Sequence, residues 1–452
     1  MKKTLLSVVA MLATGGAVMA QNGVTEVPDA EGHMYMCTVL SPNGRYLGGS
    51  NGDNTGGFIY DTQSKKVVDF ASPDADTDLQ LKSINDEGVA VGWNGPAAIF
   101  NFATADYTTY GLDGQYLFQG ISPDGKLIAG ARYDNEDSPE GQPCLFKDGK
   151  PVDLPQPSNK FLGAFSDGAT ALSVSNDSII SGYWVDDLGT RPALLWAPGR
   201  EADTYMAYPF SRPYFAATME STNPYTIFSC DQTVMSPNGK YIVVNFEKYT
   251  GEWESSLGVA RYNTANDSLE ILTCNPDDEM FAEVGTDIMG FAVSDEGTIV
   301  GIYGGMYGPR CGFMWKKGDD KIKSLAAEFP KATLLADYDA GGFNTPAGIS
   351  ADGRYIAGFA IKEGETEYDG GYVSWVLDTQ YDDASGVESA PAADAKKVVA
   401  RFTADGKQLK ADAKARGFNM MLMKNGKTIK SFNKQDKHGS RAAVNKIGVD
   451  SW

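Results

Sequence analysis

A chain of 452 residues with 59 Asp and Glu against 39 Lys and Arg, net charge −20, is too acidic for nucleic acid or an anionic membrane surface to suit its main body. Two histidines leave almost no room for a His-rich zinc site or a Ser-His-Asp or Cys-His site among the repeats described below. Five cysteines are an odd, sparse set and not a disulfide framework.

In chain order, Lys2 and Lys3, an apolar run from Leu5 to Val18 and then Ala20 read as a secretory signal cut between Ala20 and Gln21. Gln21, where a lipoprotein would carry Cys, argues against a lipid anchor. No later apolar run reaches the length of a spanning helix, so no transmembrane segment is expected.

From residue 35 to 378 one design recurs seven times. The copies are LSPNGRYLGG (40–49), SINDEGVAVG (83–92), ISPDGKLIAG (121–130), VSNDSIISG (174–182), MSPNGKYIVV (235–244), VSDEGTIVG (293–301) and ISADGRYIAG (349–358). The Asn-Gly, Asp-Gly and Glu-Gly pairs supply the positive backbone dihedral of a tight hairpin, so each copy predicts two antiparallel strands, A and B. The fourth copy has Ser178 in the glycine position and should hold the most strained turn.

A third strand, C, follows each copy and ends on a ring: Tyr60, Phe100, Phe146, Trp196, Tyr262, Trp315 and Trp375. One ring per unit at one register predicts a wedge between packed sheets. Outer D strands are predicted over 66–70, 106–110, 151–154, 204–208, 268–272 and 323–327. The seventh copy has none, and the strand-like segment 23–27 is available to complete it and close a ring. The expected fold is therefore all-β, a seven-bladed β-propeller followed by a small C-terminal β-module.

This pattern, followed by CLFKDGKPVDL, ALLWAPG or GFMWKKG, resembles the HAF-type extracellular repeats and related WD-like propeller repeats of bacterial exported proteins. The resemblance spans roughly residues 35–378. It implies the fold and is nearly silent on function, since such propellers include binding proteins, scaffolds and hydrolase companions.

Residues 379–395 have the acidic, Pro/Ala/Ser-rich composition of a linker. Residues 21–394 hold 23 Lys and Arg against 55 Asp and Glu, whereas residues 395–452 hold 14 against 4. In that basic end, 396–432 reads as four strands joined by Asp-Gly, Gly417 and Asn-Gly turns. Its Ala404-Asp405-Gly406-Lys407, Gly417-Phe418-Asn419 and Lys424-Asn425-Gly426-Lys427 resemble the C-terminal β-modules of Bacteroidota exported proteins, type IX sorting signals included. Such modules usually end the chain, whereas here a polar tail, 433–452, follows. The expected order is a signal peptide (1–20), a propeller (21–378), a linker (379–395), a β-module (396–432) and a disordered tail (433–452).

The A–B and C–D turns are short, while the B–C and D–A connections are long and share the other face, where a ligand site is expected over the channel mouth. Candidate ligand-binding residues there are Trp93, Tyr133, Tyr183, Trp184, Asp186, Asp187, Glu252, Trp253, Tyr303, Tyr307 and Arg310. Rings beside carboxylates suit stacking on sugars or gripping a peptide, so the partner is a glycan or a protein. The alternative for the same rings is packing of the loops on one another.

No catalytic residue is assigned. The alternatives to a binding protein are a carbohydrate-active enzyme using Asp186 with Glu252 or Asp134 with Asp187, and a structural envelope component. Asp74, Asp76 and Asp78 alternate like a calcium loop, but Leu79 stands where the turn glycine belongs and no Glu closes the set. A monomer without metal or cofactor is expected, calcium being the alternative, in the periplasm, at the cell surface or outside the cell. Cys144 and Cys311 should behave as small buried apolar groups; Cys230 and Cys274 flank one repeat and are the one candidate pair.

Overall fold

The structure is a computed structural model and describes residues 23–28, 34–51, 55–73, 77–112, 114–133, 141–155, 165–186, 193–201, 204–208, 225–226, 234–249, 255–272, 279–281, 285–304, 309–362, 371–381, 398–403, 408–409, 417–423 and 428–433. Two compact units result, Met1–Gln380 and Tyr381–Trp452. The proposed signal peptide, the pair Cys230 and Cys274, and Asp74 and Asp76 lie outside the described residues.

The first unit is a seven-bladed β-propeller. Blade 1 is Met36–Leu40, Tyr46–Ser50, Gly56–Asp61 and Lys66–Ala71, hydrogen-bonded in that order, and the other blades repeat this antiparallel sequence. Each copy of the repeat forms the A–B hairpin, so the turn chemistry sets the blade. In blade 1 the Ser41 carbonyl accepts from Gly44 N at 2.8 Å and the Ser41 hydroxyl from Tyr46 N at 2.9 Å. Gly44 has φ +71°, the conformation glycine adopts without penalty. Ser178 holds the same position in blade 4 at φ 60°, the strained turn that was expected.

Neighbouring blades are tied through these turns. Asn43 N donates to Asp86 Oδ1 (2.7 Å), Asp124 N to Asn176 Oδ1 (3.0 Å), Asn238 N to Asp295 Oδ1 (2.9 Å), and Ala351 N to Pro42 O (2.7 Å). The last of these joins blade 7 to blade 1. The ring closes a second time through Val24–Glu26, which pairs with Tyr372–Asp378 as the fourth strand of blade 7, Val24 opposite Leu377. Val24 and Val27 are buried, worth about 1.5–3 kcal/mol each. Glu26 takes the Tyr338 hydroxyl at 2.9 Å and pairs with Lys362 at 2.8 Å.

The C-strand rings are all buried between sheets. Six share one register: Tyr60 stands opposite Leu47 as Phe100 stands opposite Ala90 and Trp315 opposite Ile299. Blade 7 departs from the expectation. Leu377 occupies that register, opposite Ile356, and Trp375 lies two residues earlier on the same face. There it stacks on Tyr338 at 6.1 Å, a ring presented by the helix Thr333–Ala340 that precedes blade 7.

That helix was not foreseen, and it accompanies a second correction. The outer strand of blade 6 is only Lys323–Ser324, after which Leu325–Glu328 turns helical. Leu-Ala-Ala-Glu consists of strong helix formers, and the Ser324 hydroxyl caps them by accepting from Ala327 N at 3.4 Å. Among the described residues no helix is long and apolar enough to cross a membrane.

The second unit contains a four-stranded antiparallel sheet, with Gln408–Leu409, Val398–Thr403, Gly417–Met423 and Thr428–Asn433 adjacent in that order.

Candidate ligand-binding channel

In six of the seven A strands the pairing with strand B slips by one residue at the same place. The slips fall between Cys37 and Val39, Leu81 and Ser83, Phe118 and Gly120, Ala171 and Ser173, Gly290 and Ala292, and Pro346 and Gly348. The bulged residue is always third before the Ser or Asn that opens the turn: Thr38, Lys82, Gln119, Leu172, Phe291 and Ala347. A bulge redirects its side chain and deepens the local twist. Here all six residues line one axial cavity of about 520 Å³, to which all seven blades contribute.

The repeat's closing glycine makes these bulges possible. A Cβ on Gly49, Gly92, Gly130, Gly182, Gly301 or Gly358 would overlap the carbonyl oxygen of Met36, Gln80, Leu117, Thr170, Met289 or Thr345, in each case two residues before the bulge. None of these glycines needs a positive φ; the requirement is close approach of backbone. The motif's last residue therefore shapes the channel wall.

One end of the cavity is bounded by Pro42, Pro123 and Pro237 of the A–B turns, the other by Ser50, Phe359 and Arg310 at the B–C ends. Trp93, Tyr133, Tyr183, Trp184, Tyr303 and Arg310 all stand at or near that second end, which is the face the sequence favoured. Their surroundings differ. Tyr183 and Trp184 are strand residues buried in the packing of blade 4, and Tyr303 is buried against Phe281 at 5.8 Å. The expected exposure does not hold for these three: strand B runs farther than the turn signals implied and carries them into the core.

Trp93, Tyr133 and Arg310 are partly exposed. Arg310 opens strand C of blade 6, with its guanidinium 3.5 Å over the Phe343 ring and its N–H bonded to Gly342 O at 3.0 Å. Asp186 closes strand B of blade 4. Asp187, Glu252, Trp253 and Tyr307 lie outside the described residues, as does Asp134.

Sequence reasoning passed over Lys82. Its ammonium lies 4.5 Å from the centre of the Trp93 ring, and water reaches it within the channel although protein crowds it. That crowding lowers its pKa below the usual lysine range. The signal was present as a position, third before the turn, where one copy has Lys and the others have Thr, Gln, Leu, Phe or Ala.

Beside the channel, between blades 6 and 7, Asp339 is almost enclosed. It accepts from Asn344 Nδ2 at 2.8 Å, Ser324 Oγ at 3.4 Å and Gly312 N at 3.4 Å. Burial pushes its carboxyl up to about 6 against these three donors, which favour the charged form. Cys311 is buried next to it, and burial with the Asp339 charge moves its thiol up to about 11. Cys37 and Cys144 are likewise buried, with thiols pushed up to about 12, and serve as inert filling. Among the described residues no group of three His, Cys, Asp or Glu side chains is arranged to hold a metal.

No family profile and no curated relative matches the chain. Among solved structures, Kuenenia stuttgartiensis hydrazine synthase aligns at 15% identity and TM-score 0.45, over 78% of this chain and 97% of that one. A catalytically inactive virginiamycin B lyase from Staphylococcus aureus aligns at 10% identity and TM-score 0.43, over 78% and 98%. The β-propeller domain of the Trilobed protease from Pyrococcus furiosus aligns at 9% identity and TM-score 0.41, over 79% and 99%. Enzymes stand among these structures, and likeness at this level says nothing about activity.

Proposed function

We propose that this chain is an exported, non-catalytic binding propeller that seats a glycan or protein ligand at the channel mouth, on the face carrying the B–C and D–A loops. One observation carries the reading. A cavity of about 520 Å³, walled by all seven blades and shaped by six matching bulges, opens where Trp93 and Arg310 are reachable. Bulges that cost ladder pairing recur where side chains must be re-aimed, and a roomy cavity with mixed polar and apolar walls suits a bound group. Export follows in this reading from the basic-then-apolar start of the chain. The HAF-like repeats and the Bacteroidota-like C-terminal module fit an envelope or extracellular protein.

The test is a glycan array and a peptide array probed with the full chain, followed by thermal shift on each hit. Saturable binding should raise the unfolding midpoint, by the equivalent of about 2.7 kcal/mol at a hundredfold excess over Kd. An array without hits on either surface overturns the reading.

A further inference from the structure

We propose that the channel is an anion site, in which Lys82 receives the carboxylate or phosphate of a small ligand; this rests on the channel being the binding site. Among the described residues no Asp or Glu lines the cavity, while Lys82 and Arg310 both do. They belong to blades 2 and 6, three blades apart around the ring; the Arg310 guanidinium lies over the Phe343 ring, and Lys82 is the cation the proposal uses. Lys82 makes no ion pair among the described residues, and its neighbour is the Trp93 ring. Thr345, which also lines the cavity and is 6% exposed, has a hydroxyl that meets no partner among the described residues.

An ammonium that water reaches, with no carboxylate paired to it among the described residues, offers an arriving anion both a charge and a donor. Coulomb attraction is stronger in this confined space than at the surface, where the acidic exterior repels anions. Binding would restore the ordinary lysine pKa, so it takes up a proton on the alkaline side of neutrality. A purely structural lysine gives no such signature.

Isothermal titration of the full chain with glucuronate, inorganic phosphate and glucose tests the proposal, on the native protein, Lys82→Met and Lys82→Arg. Glucuronate or phosphate should bind the native protein and glucose should not. Which anion binds tells a sugar acid from a phosphate source. Lys82→Met should weaken binding at least tenfold while the unliganded melting temperature holds or rises, and Lys82→Arg should keep most of the affinity. Titrations in two buffers of different ionisation enthalpy should reveal proton uptake at alkaline pH. The proposal is overturned by native protein that binds neither anion, by equal binding of native and Lys82→Met, or by glucose binding as well as glucuronate. That last result leaves the channel standing as a binding site and removes only its charge preference.

Discussion

Blades 3 and 5 begin with nearly the same words, ISPDGKLIAG and MSPNGKYIVV, and build their inner walls differently. In blade 3 the A strand loses one residue of register at Gln119, and Gly130 lets the Leu117 carbonyl in. Blade 5 has buried Val244 at the glycine position. Its pairing starts alike, Met235 opposite Ile242, but farther along Thr226 stands opposite Glu247, a slip of four residues instead of one. A side chain in strand B thus decides how its neighbour may bulge. The glycine that closes each repeat acts through space on the strand before it, and the blade lacking it pairs with a larger offset.

Transplanting the difference should break it most severely. Gly130→Val drives a side chain into the Leu117 carbonyl, and overpacking of this kind should cost ~3 kcal/mol or more of stability. Urea unfolding measures it; a loss under ~1 kcal/mol would show that strand A yields and that the glycine is not what holds the bulge.

The next irregular region is the junction of blades 6 and 7, where helices follow a two-residue outer strand and one of them carries Asp339. Its carboxyl ionises near 3.8 when unfolded and near 6 when folded, so folding disfavours the charged form. The stabilisation this group offers is complete below pH 3.8 and lost as pH rises through 6, a swing of ~2–3 kcal/mol. Asp339→Asn removes the swing. Melting temperatures from pH 4 to 7 should show the variant gaining on the native protein as pH rises; a constant difference contradicts the assignment.

The smallest effect belongs to blade 4. Ser178 sits at φ 60°, and Ser178→Gly relieves that strain at some cost in unfolded-chain entropy, a net gain of ~0.5 kcal/mol. A lower midpoint for the variant would mean that the Ser178 side chain contributes more than its backbone costs.

The repeat was readable because hairpin chemistry is local: Asn-Gly or Asp-Gly between apolar runs dictates a turn wherever it occurs. The closing strand Val24–Glu26 was readable by subtraction, since one blade lacked its fourth strand. Helix Thr333–Ala340 was missed because its apolar residues pack against one blade junction and nothing repeats them. The channel was half-readable. Its face followed from loop lengths, but Lys82 did not, because a bulge reverses the in-out alternation on which strand reading depends. Trp184 and Tyr303 looked like loop rings for another reason: strand B runs past the point where the turn signals end it and carries them into the core.

The account stands on the claim that the bulged residues face a ligand. Ala347 is the smallest of the six, and Ala347→Trp places an indole in the lumen without touching the blade core. The decisive measurement is affinity of the native protein and of Ala347→Trp for one ligand found on the arrays, with melting temperatures recorded alongside. Affinity should fall at least a hundredfold while the unliganded midpoint stays within about 2 °C, roughly the shift expected for under 1 kcal/mol. Unchanged affinity with a filled channel would place the ligand elsewhere and contradict the account.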